Sequence, residues 1–155
     1  MNPSDEICPG PCPHAVPAAH WEHFAHGSDI GIRGVGPGIE EAFEQAAVAL
    51  TDVVTDSTKV DVRDEVGIRC EDGDPALLLV DWLNALICEM GCRRMLFGRF
   101  EVSIRDGVLE GRAWGEEIDP ARHLPAVEVK GATYTQLRVG RETDGSWVAQ
   151  CVVDV

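Results

Sequence analysis

The sequence predicts an α+β domain, a mostly antiparallel sheet with two main helices packed on one face. Three observations carry that reading. Two stretches hold apolar residues at helical spacing, several short runs alternate with period two, and Asp-Gly pairs separate neighbouring runs. The order is strand, helix, strand, helix, and then strands, with no internal repeat.

In chain order, residues 1–20, "MNPSDEICPGPCPHAVPAAH", are proline-rich and aperiodic, which predicts a flexible arm ahead of one domain over 21–155. This start has no basic or apolar signal region and no window reads as a membrane span, so a cytoplasmic location is expected. Cys8, Cys12, His14 and His20 are zinc-ligand types, but no C-x-x-C pair anchors them. Next, "DIGIRGVG" alternates from Asp29 as the first strand. "GIEEAFEQAAVALTDVV" follows as a helix, with Glu40, Glu41 and Glu44 near its positive end.

"DEVGIRC" alternates again. In "DGDPALLLVDWLNALICEM", Asp74 is an N-cap, Pro75 the first helical residue and Gly91 the stop. This second helix is apolar on nearly every side and is expected to be central and largely buried. "RFEVSIRDGVLEGRAWG" is a hairpin turning at Asp106-Gly107, "AVEVKGATY" is a strand, and the last two strands join around Asp144-Gly145. Asp119-Pro120 and His123 read as loop chemistry.

Composition narrows the function. A length of 155 residues with 45% hydrophobic content supports one packed domain. A formal charge of −14 disfavours direct nucleic-acid binding, which needs clustered Lys and Arg, and suits a basic partner or metal ions. "GIRGVGPG" lacks a nucleotide-binding fingerprint, there is no G-x-S-x-G, and the four tryptophans read as core or rim packing. Cys70 and Cys151 read as buried hydrophobes. Cys88 and Cys92, four apart on a helix, are poorly placed for a disulfide and are expected as thiols.

Two candidate sites remain. His23, His26 and Asp29 have ligand types in sequence, although Gly27-Ser28 interrupts any helix that would converge them. At the other end, "WVAQCVVDV" brings Asp154 and the Val155 α-carboxylate to the end of a strand. If the first and last strands pair antiparallel, Asp29 joins them, and oxygen-only ligands of this kind suit Ca²⁺, Mg²⁺ or Mn²⁺. Lys130, one of only two lysines, is an exposed strand cation paired with an acid such as Glu128, or a contact for a partner's carboxylate.

Taken together, "WEHFAHGSDIGIRGVGPGIEEAFEQAAVAL", "LLLVDWLNALICEM", "AVEVKGATYTQLRV" and "WVAQCVVDV" resemble the archease family over about Trp21 to Val155. The resemblance implies an SHS2-type fold with an insertion. It also implies a non-enzymatic activator of an RtcB-type RNA ligase, promoting guanylylation and repeated turnover in tRNA splicing and RNA repair. By resemblance, Asp29, Asp154 and Val155 hold a divalent metal, Ca²⁺ foremost, and Lys130 serves partner activation; His26 is expected to join it there, by orienting the loop or facing the partner. "HGSD" stands where the family commonly has "HTAD", and Thr135 stands where a histidine is frequent. Two other readings compete: a metal-dependent hydrolase using His23, His26 and Asp29, and a chaperone-like binding module without metal.

Overall fold

The computed structural model describes residues 18–155; Cys8, Cys12 and His14 lie outside the described residues. The elements are β1 (His20–His26), β2 (Asp29–Gly36), α1 (Ile39–Val54), β3 (Asp64–Glu71), α2 (Pro75–Arg93), β4 (Met95–Arg105) and β5 (Val108–Glu117). After them come α3 (Pro120–His123), β6 (Gly131–Ala132), β7 (Arg138–Arg141) and β8 (Trp147–Asp154). The fold is α+β with antiparallel strand pairing, and its strands divide between two sheets. One runs β1-β2-β8-β6, with β7 also on β8; the other runs β3-β5-β4.

Regular structure starts earlier than alternation suggests. β1 folds back on β2 in a hairpin closed by the His26–Asp29 pair, with Gly27 at φ +60° in its turn. His20 therefore belongs to the domain. The strand escapes pattern reading because its large apolar residues, Trp21 and Phe24, fall on opposite faces. Phe24 lies over the bare face of Gly31, where a Cβ would come within 2.2 Å of its ring, and Arg33 stacks on it at 4.9 Å.

The central helix is α1, not the more apolar α2 that the sequence favours. Ala42, Phe43, Ala46, Ala47, Ala49 and Leu50 are all buried in α1. Their small side chains let the helix backbone approach β2 so closely that a Cβ on Gly34 would lie 2.0 Å from Ala42 O and 2.3 Å from Ala46 N. The other side of α1 is tied to the second half of the chain. Thr51 Oγ1 donates to Phe97 O at 2.7 Å, and Trp82 Nε1 donates to Phe43 O at 3.2 Å.

Asp74 caps α2 by accepting from the Ala76 N–H at 2.9 Å. The helix runs past Gly91 to Arg93 and ends where Arg94 turns left-handed at φ 54°. By length and composition α2 could cross a membrane, yet Leu78, Leu79, Trp82, Leu83 and Leu86 pack into the core. Ile87 and Met90 of the same helix are only half-buried, packed against the margin of that core, and Leu77 is exposed.

Hairpin β4–β5 turns at Asp106 and Gly107, both with positive φ as a type I′ turn needs. The free edge of β4 is covered from α1. Glu44 accepts from Val102 N–H at 2.9 Å and Glu40 from Ile104 N–H at 3.3 Å, which blocks strand addition there. Of "AVEVKGATY", only Gly131 and Ala132 join a ladder. The preceding strap is pinned by Ala126 N–H to Val54 O at 2.8 Å and by buried Val129.

The expected loop around Asp119 and His123 is instead the single turn α3, capped by Asp119, with His123 buried. Asp119 N–H donates to His123 Nδ1, so Nε2 carries the ring proton and donates to Glu116 Oε2 at 3.0 Å. Glu116 also accepts from Arg122 and from the Asp61 N–H. The Arg122 guanidinium, followed by these other donors, outweighs burial and holds the Glu116 carboxyl at about 2, against an ordinary 4.5.

Two predictions follow from this packing. Gly34→Ala costs at least about 2 kcal/mol in urea unfolding, because the helix backbone must retreat. The Glu116 contribution to stability is complete above about pH 4.5 and is lost as pH falls towards 2, since its folded pKa is depressed. Glu116→Gln therefore lowers stability at neutral pH and flattens its dependence between those limits, measured by denaturant titration across pH.

Candidate functional site

β8 ends between two strands whose first residues lie beside it. On one side β2 sets Ile30 against Val153; on the other β6 sets Gly131 against Asp154. Asp29 and Lys130 immediately precede those partners, so they flank the end of β8 from both sides. The main chain ties the corner together. Lys130 N–H donates to Asp154 O at 2.8 Å, and Val155 N–H makes a long contact with Asp29 Oδ1 at 3.5 Å.

Four expected site residues are thus gathered from three distant segments. Asp29 and Val155 are half-buried, while Asp154 and Lys130 are exposed. The side-chain donors here are oxygens alone, carboxylates on adjoining strand ends. Such a set fits a hard divalent cation with water in its shell and offers nothing soft for zinc or copper. The fit is chemical, set by donor type and by the juxtaposition of like charges that a cation would relieve.

The histidines separate. His26 closes the β1–β2 hairpin opposite Asp29 and is exposed, at the edge of the corner. His23 lies three residues earlier on the same strand, hence on the opposite face. Its Nε2 donates to Ala49 O at 2.8 Å, and its ring packs on Trp21 with centroids 4.8 Å apart. The set His23, His26 and Asp29 is therefore not brought together. Among the described residues no group of three His, Cys, Asp or Glu side chains is placed to hold a metal ion.

Sequence reasoning missed two supports of this corner. Asn84 of α2 accepts from the Ala132 N–H at 2.9 Å and fixes β6 in place. Beside it opens a groove of about 670 Å³ with Ile87, Met90, Leu96 and Val129 on its walls, and Arg94, Glu128 and Lys130 also lining it. The apolar breadth of α2 was the available signal, since Ile87 and Met90 are only half-buried against the core and line this groove as well.

A family model described as the Archease protein family matches residues 21–155. The chain belongs to the archease family. Protein archease of Pyrococcus furiosus is 42% identical over 139 residues, covering 87% of this chain and 98% of that protein. Protein archease of Methanopyrus kandleri is 40% identical over 139 residues, covering 87% and 99%. The solution structure of Methanobacterium thermoautotrophicum protein 1598 superposes with a TM-score of 0.77 at 32% identity, covering 87% of this chain and 98% of that one. The archease match begins at Trp21, inside β1 and just beyond the aperiodic stretch.

One consequence separates the two candidate sites. His23→Ala removes a packing and hydrogen-bond role and costs about 1 kcal/mol of stability. Calorimetric Ca²⁺ titration of the variant should match that of the parent chain; loss of binding would restore His23 as a ligand.

Proposed function

We propose that this chain is an archease-type protein cofactor, cytoplasmic and without catalytic activity of its own, that activates an RtcB-type RNA ligase. The observation that supports this best is the convergence of Asp29, Asp154, Val155 and Lys130 at one corner from three strand ends, Asp29 lying more than a hundred residues from the others. In this reading the carboxylates of Asp29 and Asp154, with the Val155 carboxylate, hold a divalent ion, Ca²⁺ first and Mg²⁺ or Mn²⁺ in its place. The ion would supply concentrated positive charge and open positions for oxygen ligands at the docking face.

The chain's own groups then divide the work. The carboxylates present anionic ligands at a rigid strand end, held by the Lys130 and Val155 main-chain contacts. Lys130 stands beside them as a rare cation on a surface of net charge −14, suited to a carboxylate of the ligase. His26 supports the hairpin end from across the Asp29 pair. The acidic surface as a whole favours approach to a basic partner and disfavours direct RNA binding. Activation amounts to stabilising the ligase conformation competent for guanylylation, a differential interaction between two states of the partner.

Multiple-turnover ligation with the cognate ligase tests the reading. Asp29→Ala and Asp154→Ala, each with native circular dichroism, lower stimulated turnover at least tenfold and weaken Ca²⁺ binding in calorimetry. Lys130→Ala lowers stimulation but leaves Ca²⁺ binding in place. Full stimulation by both aspartate variants would refute the metal corner. A few residues appended after Val155 also abolish stimulation, because the carboxylate leaves the corner.

A further inference from the structure

Four of the six cysteines occur as two C-x₃-C pairs, Cys8–Cys12 and Cys88–Cys92. The other two are withdrawn: Cys70 is half-buried, and Cys151 is buried, with its thiol pushed up to about 12. Cys88 and Cys92 are different. They are exposed on successive turns near the end of α2, with Sγ atoms 3.7 Å apart.

That separation matches a specific chemistry. Two metal–sulfur bonds of about 2.3 Å meeting at a tetrahedral angle span about 3.8 Å between sulfurs. The thiols therefore need almost no movement to grip a tetrahedral ion. A disulfide needs about 2.05 Å, which an intact helix does not allow at this spacing without distortion. Ionising both thiols side by side is costly: the hydrogen bond to Cys92 and its charge push the Cys88 thiol above its ordinary value, and Glu89 adds to the effect. A divalent cation between the sulfurs reverses that cost by favouring both thiolates. The carboxylate corner offers hard oxygens only, so the two places select different ions.

We propose that Cys88 and Cys92 form a two-thiolate site for a tetrahedral d¹⁰ divalent cation of the Zn²⁺ class. The site is separate from the carboxylate corner and does not rest on the proposed ligase function. Its remaining positions fall to water or to the same pair of a second copy. The last two turns of α2 carry the thiols and the groove residues Ile87 and Met90. A bound ion would stiffen that wall.

Co²⁺ is the probe, added to the reduced full-length protein and followed by its thiolate charge-transfer and visible absorption. The expected result is a saturable thiolate band that is lost, or whose affinity falls at least tenfold, in Cys88→Ser and in Cys92→Ser, and that Zn²⁺ displaces. Both side chains are exposed, so these variants keep the parent circular dichroism and thermal midpoint. Saturation at one ion per chain, with the protein monomeric in sedimentation, supports water completion. Saturation at one ion per two chains, with dimerisation in sedimentation, supports a second copy. Absence of a thiolate band, or an unchanged band in both Cys88→Ser and Cys92→Ser, overturns the proposal.

Discussion

The rest of the fold depends on one close approach, the backbone of α1 lying on the bare face of Gly34 in β2. With hydrogen in place of a side chain at 34, and alanines at 42 and 46, helix and strand come within a distance that any Cβ would forbid. β2 in turn pairs with β1 and β8, so the position of α1 sets the level of the whole first sheet. The far side of α1 receives Phe97 and Trp82 through Thr51 Oγ1 and Phe43 O, which aligns the second sheet and α2 on the same axis. Small residues thus organise a core that larger ones fill.

The carboxylate corner is a product of that alignment. Antiparallel pairing of β2 with β8 sends the start of one strand to the end of the other, and β6 repeats the arrangement on the opposite side. Strand register thereby sets Asp29 and Asp154 on neighbouring strand ends, held in place by the ladder and by the core beneath it. The buried Glu116 cluster shows the opposite solution, an acid supplied with all its donors from within.

Much of the architecture was legible in the residues. The Asp74-Pro75 helix start, the Asp106-Gly107 turn and the Asp144-Gly145 connection follow from local backbone preferences, and all three stand where local chemistry puts them. β1 was not legible, because Trp21 and Phe24 sit on opposite faces and mask its period. Nor was the rank of the helices. Apolar count favours α2, but the central place goes to the helix whose side chains are small enough to admit a strand, and that depends on Gly34 as a distant partner.

Sequence by itself determined the α+β class, most element positions, the acidic surface and the residues worth watching at either end, namely Asp29, His26, Lys130, Asp154 and Val155. These are set by local spacing, capping and composition. Only the tertiary structure decided which of them meet. Strand register joined Asp29 to the end of β8 and set Lys130 on its other side, while the pleat of β1 put His23, bonded to Ala49 O, on the face opposite His26. Register and face are relations between segments far apart in the chain, and no local stretch contains them.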